Sequence, residues 1–196
     1  MTRIIGGSAG GRRLETPKGS TTRPTSDRVR EALFSAVESW SGSWEGLRVL
    51  DLYAGTGAVG IEALSRGAGE ALLVEQDRRT AELISRNART LGFDRARVVT
   101  SSVATFLGQA APAQFDFVFL DPPYPLENAD VTADLVLLVE HGWLAPDALV
   151  VVERRRRPGI PDWPAGITAG RERKYGDTVL GYGHAGCDES ATPDEE

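Results

Sequence analysis

The sequence predicts an α/β fold of the Rossmann-like type: a mostly parallel seven-stranded sheet with helices on both faces, preceded by a basic N-terminal β-hairpin or arm. Three observations point there. Five short apolar runs alternate with helix-period segments between residues 47 and 153, the first run ends in a glycine-rich turn, and residues 167–183 read as two strands around Gly176-Asp177. Near-continuous apolar strands belong in a parallel sheet buried on both faces, and a Gly-Asp hairpin belongs at a sheet edge.

The elements follow in order. The opening, "MTRIIGGSAGGRRLETPKGSTTRPTS", places the apolar patches Ile4-Ile5 and Leu14 on either side of "GGSAGG", which suits a hairpin or, equally, a loose soluble terminus. From Asp27, the residues Val29, Leu33, Ala36, Val37 and Trp40 fall on one helical face that Ser26 or Asp27 can cap. Strands are predicted at 47–53, 71–75, 96–100, 115–120 and 148–153, and helices near 58–67, 78–91, 103–110 and 130–141. The expected organisation is an arm at 1–25, one catalytic domain at 26–184 and a disordered acidic tail at 185–196.

A chain of 196 residues supports one full core, and it holds no apolar run long enough to cross a bilayer. "MTRIIGGSAGG" lacks the apolar stretch of a secretory signal, and the single Cys187 has no intrachain partner, which together predict a cytoplasmic protein. The net charge of −6 hides a strong asymmetry. Residues 1–30 hold seven Arg or Lys against two acids, whereas residues 185–196 hold five acids and no base. His141 and His184 show no metal-ligand spacing, and no Cys or carboxylate cluster suggests a metal.

The stretch "VLDLYAGTGAVG" (49–60) carries G-x-G-x-x-G between a strand and a helix, a turn that exposes backbone N–H groups to a nucleotide-like ligand. A dinucleotide places its pyrophosphate at the helix N-terminus and needs little else at the strand end. S-adenosylmethionine instead presents an ammonium group and a sulfonium cation. Asp51, at the end of the strand, supplies an acceptor for the first of these and tips the reading toward S-adenosylmethionine. Glu75 closes the next strand where an acid accepts ribose hydroxyls in either class. Ser101 and Ser102 beside Val103 suit either an adenine edge and floor or a plain helix cap.

"FLDPPYP" (119–125) follows the 115–120 strand at the same sheet edge. Pro122 and Pro123 fix the backbone and remove two donors, leaving a rim of acceptors: the Asp121 carboxylate, carbonyl oxygens and, beside them, the flat ring of Tyr124. Such a rim holds a planar heterocycle with an exocyclic NH₂, both N–H bonds accepted and the lone pair turned outward. This is suited to N-methylation. Asp121 is ranked as acceptor and orienter ahead of general base, because an ordinary carboxylate is a weak base.

These motifs resemble the RsmD-type methyltransferases over about 155 residues. The most specific stretch is "RPTSDRVREALFS" (23–35), joined by "RIIGGSAGGRRL", "LDLYAGTGAVGIEALSRGA", "LVEQD", "NARTLG", "FVFLDPPY" and "HGWLAPDALVVVE". The resemblance implies a class I fold and methyl transfer from S-adenosyl-L-methionine, leaving S-adenosyl-L-homocysteine, to the exocyclic N2 of a guanine in small-subunit 16S rRNA, conventionally position 966. It implies a cofactor site at Asp51, Tyr53, Gly55, Thr56, Gly57, Glu75, Ser102, Val103 and Asp121, and a target-base site at Asp121, Pro122, Pro123 and Tyr124. RNA contacts are expected from Arg3, Arg12, Arg13, Lys18, Arg23, Arg28 and Arg30, drawing a base from its stack while phosphates are held. The partner is 16S rRNA, in the small ribosomal subunit or its assembly intermediate, and the enzyme is expected to act as a monomer without metal or membrane. The chain departs from the family at Ser35, where Asn is common, and at Ser102, where an amide or acid is common. Rival readings are an NAD-dependent oxidoreductase, a sister N-methyltransferase acting on adenine or a protein glutamine, and a non-catalytic RNA-binding factor. "RRRR" (154–157) is either part of the RNA footprint or a solvated strand end.

Overall fold

The computed structural model describes residues 2–17 and 26–186. A hairpin of β1 (Thr2–Arg3) and β2 (Arg13–Leu14) precedes α1 (Asp27–Ser41). Then come β3 (Arg48–Leu52), α2 (Ala58–Ser65), β4 (Glu70–Glu75), α3 (Arg78–Thr90), β5 (Ala96–Thr100), α4 (Val103–Leu107), β6 (Phe115–Leu120) and α5 (Asn128–Glu140). The chain closes with β7 (Leu144–Arg155), β8 (Ile167–Tyr175) and β9 (Thr178–Ala185). The main sheet has seven strands in the order β5-β4-β3-β6-β7-β9-β8. β3 to β7 pair in parallel, and β9 runs antiparallel to both neighbours. The chain winds outward from β3 to β5 and then returns to place β6 on the other side of β3. That reversal opens a crevice at the carboxyl ends of β3 and β6, where open α/β sheets bind ligands.

Local chemistry accounts for the elements. Ser26 caps α1 by accepting from Val29 N at 3.3 Å, and Gly42 closes it in the left-handed region at φ 74°. Asp77 caps α3 through Thr80 N at 2.8 Å. Along β3 and β6, side chains alternate between two cores. Val49, Phe117 and Phe119 face Leu33, Phe34, Ile61 and Ile84 of α1, α2 and α3. Leu50, Leu52, Val118 and Leu120 face Val103, Leu107, Val131, Leu135 and Leu138 of α4 and α5. β7 starts at Leu144, earlier than the predicted 148, because Phe115 pairs with Leu144 before a register shift carries Phe117 to Leu149. The helix predicted near 103–110 stops at Leu107. The acidic tail predicted from 185 begins too early, since Ala185 ends β9 opposite Ile167 and is buried; residues 187–196 lie outside the described residues.

The N-terminal segment is a docked hairpin rather than a loose terminus. Ile4 and Leu14 are buried in the core with α1 and α2. Ser8 N donates to Ser65 O at 2.7 Å, Ala9 N to Ser65 Oγ at 2.9 Å and Gly6 N to Glu62 Oε1 at 3.2 Å. Gly7 sits at φ 76° with its missing Cβ position 1.9 Å from Ser65 O, so no other residue allows this approach. Arg30 joins hairpin to helices: its guanidinium donates to Arg3 O at 2.8 Å, Asp27 Oδ1 at 2.8 Å and Glu62 Oε2 at 3.4 Å. Leu14→Ala is therefore expected to lower the unfolding free energy by about 2–5 kcal/mol, the usual loss for a buried leucine. Urea denaturation checks this, and a loss within error of zero would mean that the hairpin contributes no core.

Candidate active site

The crevice is built on a glycine loop held by carboxylates. Leu52 ends β3, and Tyr53 turns the chain at φ 59°, followed by Gly55 at φ 56° and Gly57 at φ 76°. Asp51 is buried, and its Oδ2 accepts from Gly60 N in the first turn of α2 at 2.9 Å. Glu75 at the end of β4 reaches across with both oxygens: Oε2 accepts from Gly55 N at 3.0 Å and Oε1 from Asp77 N at 2.9 Å. Tyr53 Oη donates to the buried Asp134 of α5. Asn87 bridges outward, with Nδ2 donating to Glu15 O at 3.0 Å and to Thr56 O at 3.5 Å.

The two loop glycines do different work. A Cβ on Gly57 would lie 2.7 Å from Ile84 Cγ2, so this glycine lets α2 close against α3. A Cβ on Gly55 would meet nothing nearer than Tyr53 O at 3.9 Å, so Gly55 borders the open crevice. Gly57 therefore faces the core, not the ligand, and contributes its backbone.

The rim lies beside this loop. Asp121 N approaches Leu52 O at 3.5 Å, which brings Asp121 next to the end of β3. Pro122 is buried, Pro123 is exposed, and Tyr124 is 45% exposed, the large hydrophobic residue left uncovered among those described. The Arg155 guanidinium lies 3.7 Å from the centroid of its ring. A cation–π contact at an exposed site is worth ~0.5–1 kcal/mol, less than the ~1–3 kcal/mol of a base on an aromatic face. Behind the rim, the buried Arg154 donates to Leu126 O at 2.7 Å and to Asn128 Oδ1 at 3.1 Å, bracing the turn into α5.

Burial lifts the Asp51 carboxyl well above the usual carboxylate range; the Gly60 N–H works against that, and the charges of Asp121 and Glu75 add to it. Asp134 is raised by burial against the pull of the Tyr53 hydroxyl. The Tyr53 hydroxyl is in turn pushed up by burial and by its bond to Asp134. Burial lowers Arg154, and the charge of Asp121 counters it. Three carboxylates thus feel one another at the ends of β3, β4 and β6, and the field in the crevice is negative. The cleft fits a cationic ligand. The N–H groups of Gly55 and Gly60 are turned to Glu75 and Asp51, and the acids gathered here oppose a pyrophosphate's negative charge.

Other predicted positions divide. Ser102 caps α4, its Oγ accepting from Thr105 N at 3.2 Å, and Val103 is buried in the core, so these two side chains do cap and core work. Arg30 is 1% exposed, and its assignment to RNA contact is corrected: it is an internal ion-pair partner of Glu62. Arg12, Arg13 and Arg28 are exposed, while Arg3 is exposed and paired with Asp27 at 3.0 Å. Lys18 and Arg23 lie outside the described residues. Sequence reading missed Asp134, and it placed Arg154 within the 154–157 run as an RNA contact or a solvated strand end, which is corrected because Arg154 is buried; each carried a signal. Asp134 falls within the apolar face Val131, Leu135, Leu138, and Arg154 continues the inward series Val150, Val152.

A parallel sheet reversed at β3 and β6, a carboxylate-held glycine loop and an acceptor rim define a Rossmann-like methyltransferase. Residues 2–183 match the family described as conserved hypothetical protein 95. The chain belongs to that family. It is 41% identical to ribosomal RNA small subunit methyltransferase D of Escherichia coli (strain K12) over 174 residues, 89% of this chain and 85% of that one. The solved Escherichia coli protein yhhF is 36% identical and superposes with a TM-score of 0.83, covering 95% of this chain and 98% of its own. The RNA methyltransferase of Salinibacter ruber, solved with S-adenosyl-L-homocysteine, is 17% identical with a TM-score of 0.62 over 88% of this chain and 98% of its own, a likeness of fold alone.

Two outcomes are expected. Gly57→Ala should destabilise the fold more than Gly55→Ala, for which only the left-handed backbone costs, by ~1–2 kcal/mol; equal losses on thermal unfolding would contradict the packing assigned to Gly57. For Asp51, a raised folded pKa means that the folded state holds the proton more tightly. The group's stabilising effect is then complete below its unfolded value of about 3.9 and is lost as pH rises through the folded value. Asp51→Asn can still accept from Gly60 and removes that dependence. Wild type should lose stability relative to Asp51→Asn as pH climbs above ~4, and parallel pH–stability curves would refute the shift.

Proposed function

We propose that this protein is a cytoplasmic S-adenosyl-L-methionine-dependent methyltransferase acting on the exocyclic N2 of a guanine in small-subunit 16S rRNA, conventionally position 966. The observation that carries the reading is the convergence of Asp51, Glu75 and Asp121 on one crevice, with the two loop donors already turned to carboxylates. Kinship with ribosomal RNA small subunit methyltransferase D supports the RNA substrate.

S-adenosyl-L-methionine supplies a methyl group on a sulfonium sulfur, which departs as the neutral thioether S-adenosyl-L-homocysteine. Glu75 and Asp121 supply the negative charge facing its ammonium and sulfonium, Asp51 offers a buried acceptor beside them, and Glu75 accepts the ribose hydroxyls. Gly55 lets the ligand lie against the backbone. Thr56 and Tyr53 belong to the same loop, with Tyr53 anchoring it to α5. On the other side, Tyr124 stacks the target base while Asp121 and the Pro122 carbonyl accept its amino hydrogens, Pro123 keeping the turn rigid. With both hydrogens accepted, the nitrogen lone pair would face the methyl carbon; as the C–S bond breaks and the C–N bond forms, the proton shed by the methylated nitrogen would pass to Asp121 or on to water. Arg154 holds the turn behind Pro122 in place.

The test is transfer of a tritiated methyl group to unmodified small-subunit particles, followed by nucleoside analysis. N2-methylguanosine is the expected product; label in adenosine or in protein would overturn the reading. Asp121→Ala is expected to lower transfer by on the order of 10²-fold or more while cofactor affinity stays within about tenfold, and near-normal turnover in that variant would remove Asp121 from its role.

A further inference from the structure

A second concentration of positive charge lies beside the rim, at the edge of the sheet. Leu120 of β6 pairs with Val152 of β7, so Glu153, Arg154 and Arg155 run alongside Asp121, Pro122 and Pro123. From β7 the register continues outward. Glu153 pairs with Leu180 and Arg155 with Thr178 of β9, which pair in turn with Arg173 and Tyr175 of β8. Directly opposed residues share a face, so Arg155 and Arg173 lie on the same one. Arg171 shares it, with its guanidinium 5.2 Å from the ring centroid of Tyr182, two residues beyond Leu180. Lys174 and Glu172 point to the other face.

Arg155, Arg171 and Arg173 are exposed and make no ion pair among the described residues, and Glu153 on their face is buried. Two of the three rest on tyrosine rings, Arg155 on Tyr124 and Arg171 on Tyr182. Stacking holds a guanidinium flat and leaves its edge donors outward, the presentation that matches a phosphate in a bidentate way. At ~4.8 Å per strand, the stripe spans about 14 Å from β6 to β8, and it begins on the ring of Tyr124. This single-signed stripe stands on a chain whose net charge is −6, so an average surface does not account for it.

We propose, on the reading that the substrate is RNA, that Arg155, Arg171 and Arg173 form a phosphate-binding stripe seating the single-stranded RNA backbone that leads out from the target base. The docked hairpin and this stripe then grip the substrate separately, and the arginines of the edge strand act as substrate-binding residues.

The experiment is a salt titration of binding to a single-stranded RNA fragment containing the target guanine, by filter binding. Wild type is compared with Arg173→Gln, Lys174→Gln and the triple variant Arg155→Gln/Arg171→Gln/Arg173→Gln. The triple variant is expected to lose affinity by on the order of tenfold or more near 0.15 M salt and to flatten the slope of log K against log salt by about 2, at ~0.7 per phosphate. Arg173→Gln should flatten it by ~0.7, and Lys174→Gln, one residue on but on the opposite face, should leave it unchanged. Cofactor affinity by calorimetry and the thermal midpoint should match wild type throughout. Equal losses in the Arg173 and Lys174 variants, or unchanged slopes in both Arg173→Gln and the triple variant, overturn the stripe. If wild type itself fails to bind RNA or methylate guanine, it is the proposed function that falls.

Discussion

Asp51 is a buried acid whose hydrogen bond to Gly60 N fastens the end of β3 to the first turn of α2. Most of the crevice depends on that contact. It shapes the glycine loop from below, Glu75 holds the same loop from β4, and Tyr53 ties it to α5 through Asp134. Folding therefore gathers three acids at one sheet edge and desolvates one of them, which favours the protonated form of Asp51. A cation placed beside these acids favours their charged forms.

The rim opposite is organised by the reverse arrangement, a buried cation behind an acceptor loop. Arg154 donates to Leu126 O and to Asn128 Oδ1 at the start of α5, which fixes the turn that follows Pro123. Tyr53 and Arg154 both reach the start or middle of α5, which makes this helix the common backing of the loop and the rim. The glycine loop and the rim are thus referred to one rigid element, the fixed geometry that the proposed transfer requires.

Much of this was legible in the sequence because strand period, glycine turns and the Asp-Pro-Pro-Tyr stretch are local signals. The order of alternation predicted the sheet, and Gly176-Asp177 marked the edge turn at its observed place. What stayed hidden depended on distant partners. Arg30 reads as a surface cation by composition, yet it falls on the buried face Val29, Leu33, Phe34, Val37, and the approach of Asp27, Glu62 and Arg3 O offsets the cost of burying its charge. Gly57 matches a ligand motif, but Ile84, twenty-seven residues away, decides where its absent side chain would point. Ser102 reads in sequence as a cap or a ligand edge, and its Oγ accepts from Thr105 N at the start of α4.

β8 closes the sheet on one side, and from Thr168 to Lys174 every residue is exposed. A bare strand edge is a template for pairing with another chain, and natural sheets blunt it with charged side chains. Arg171, Glu172, Arg173 and Lys174 do that here, and an added strand would have to desolvate this run of four charges. The open side of the sheet is in this way kept from templating aggregation by its own side chains, with no helix among the described residues covering it.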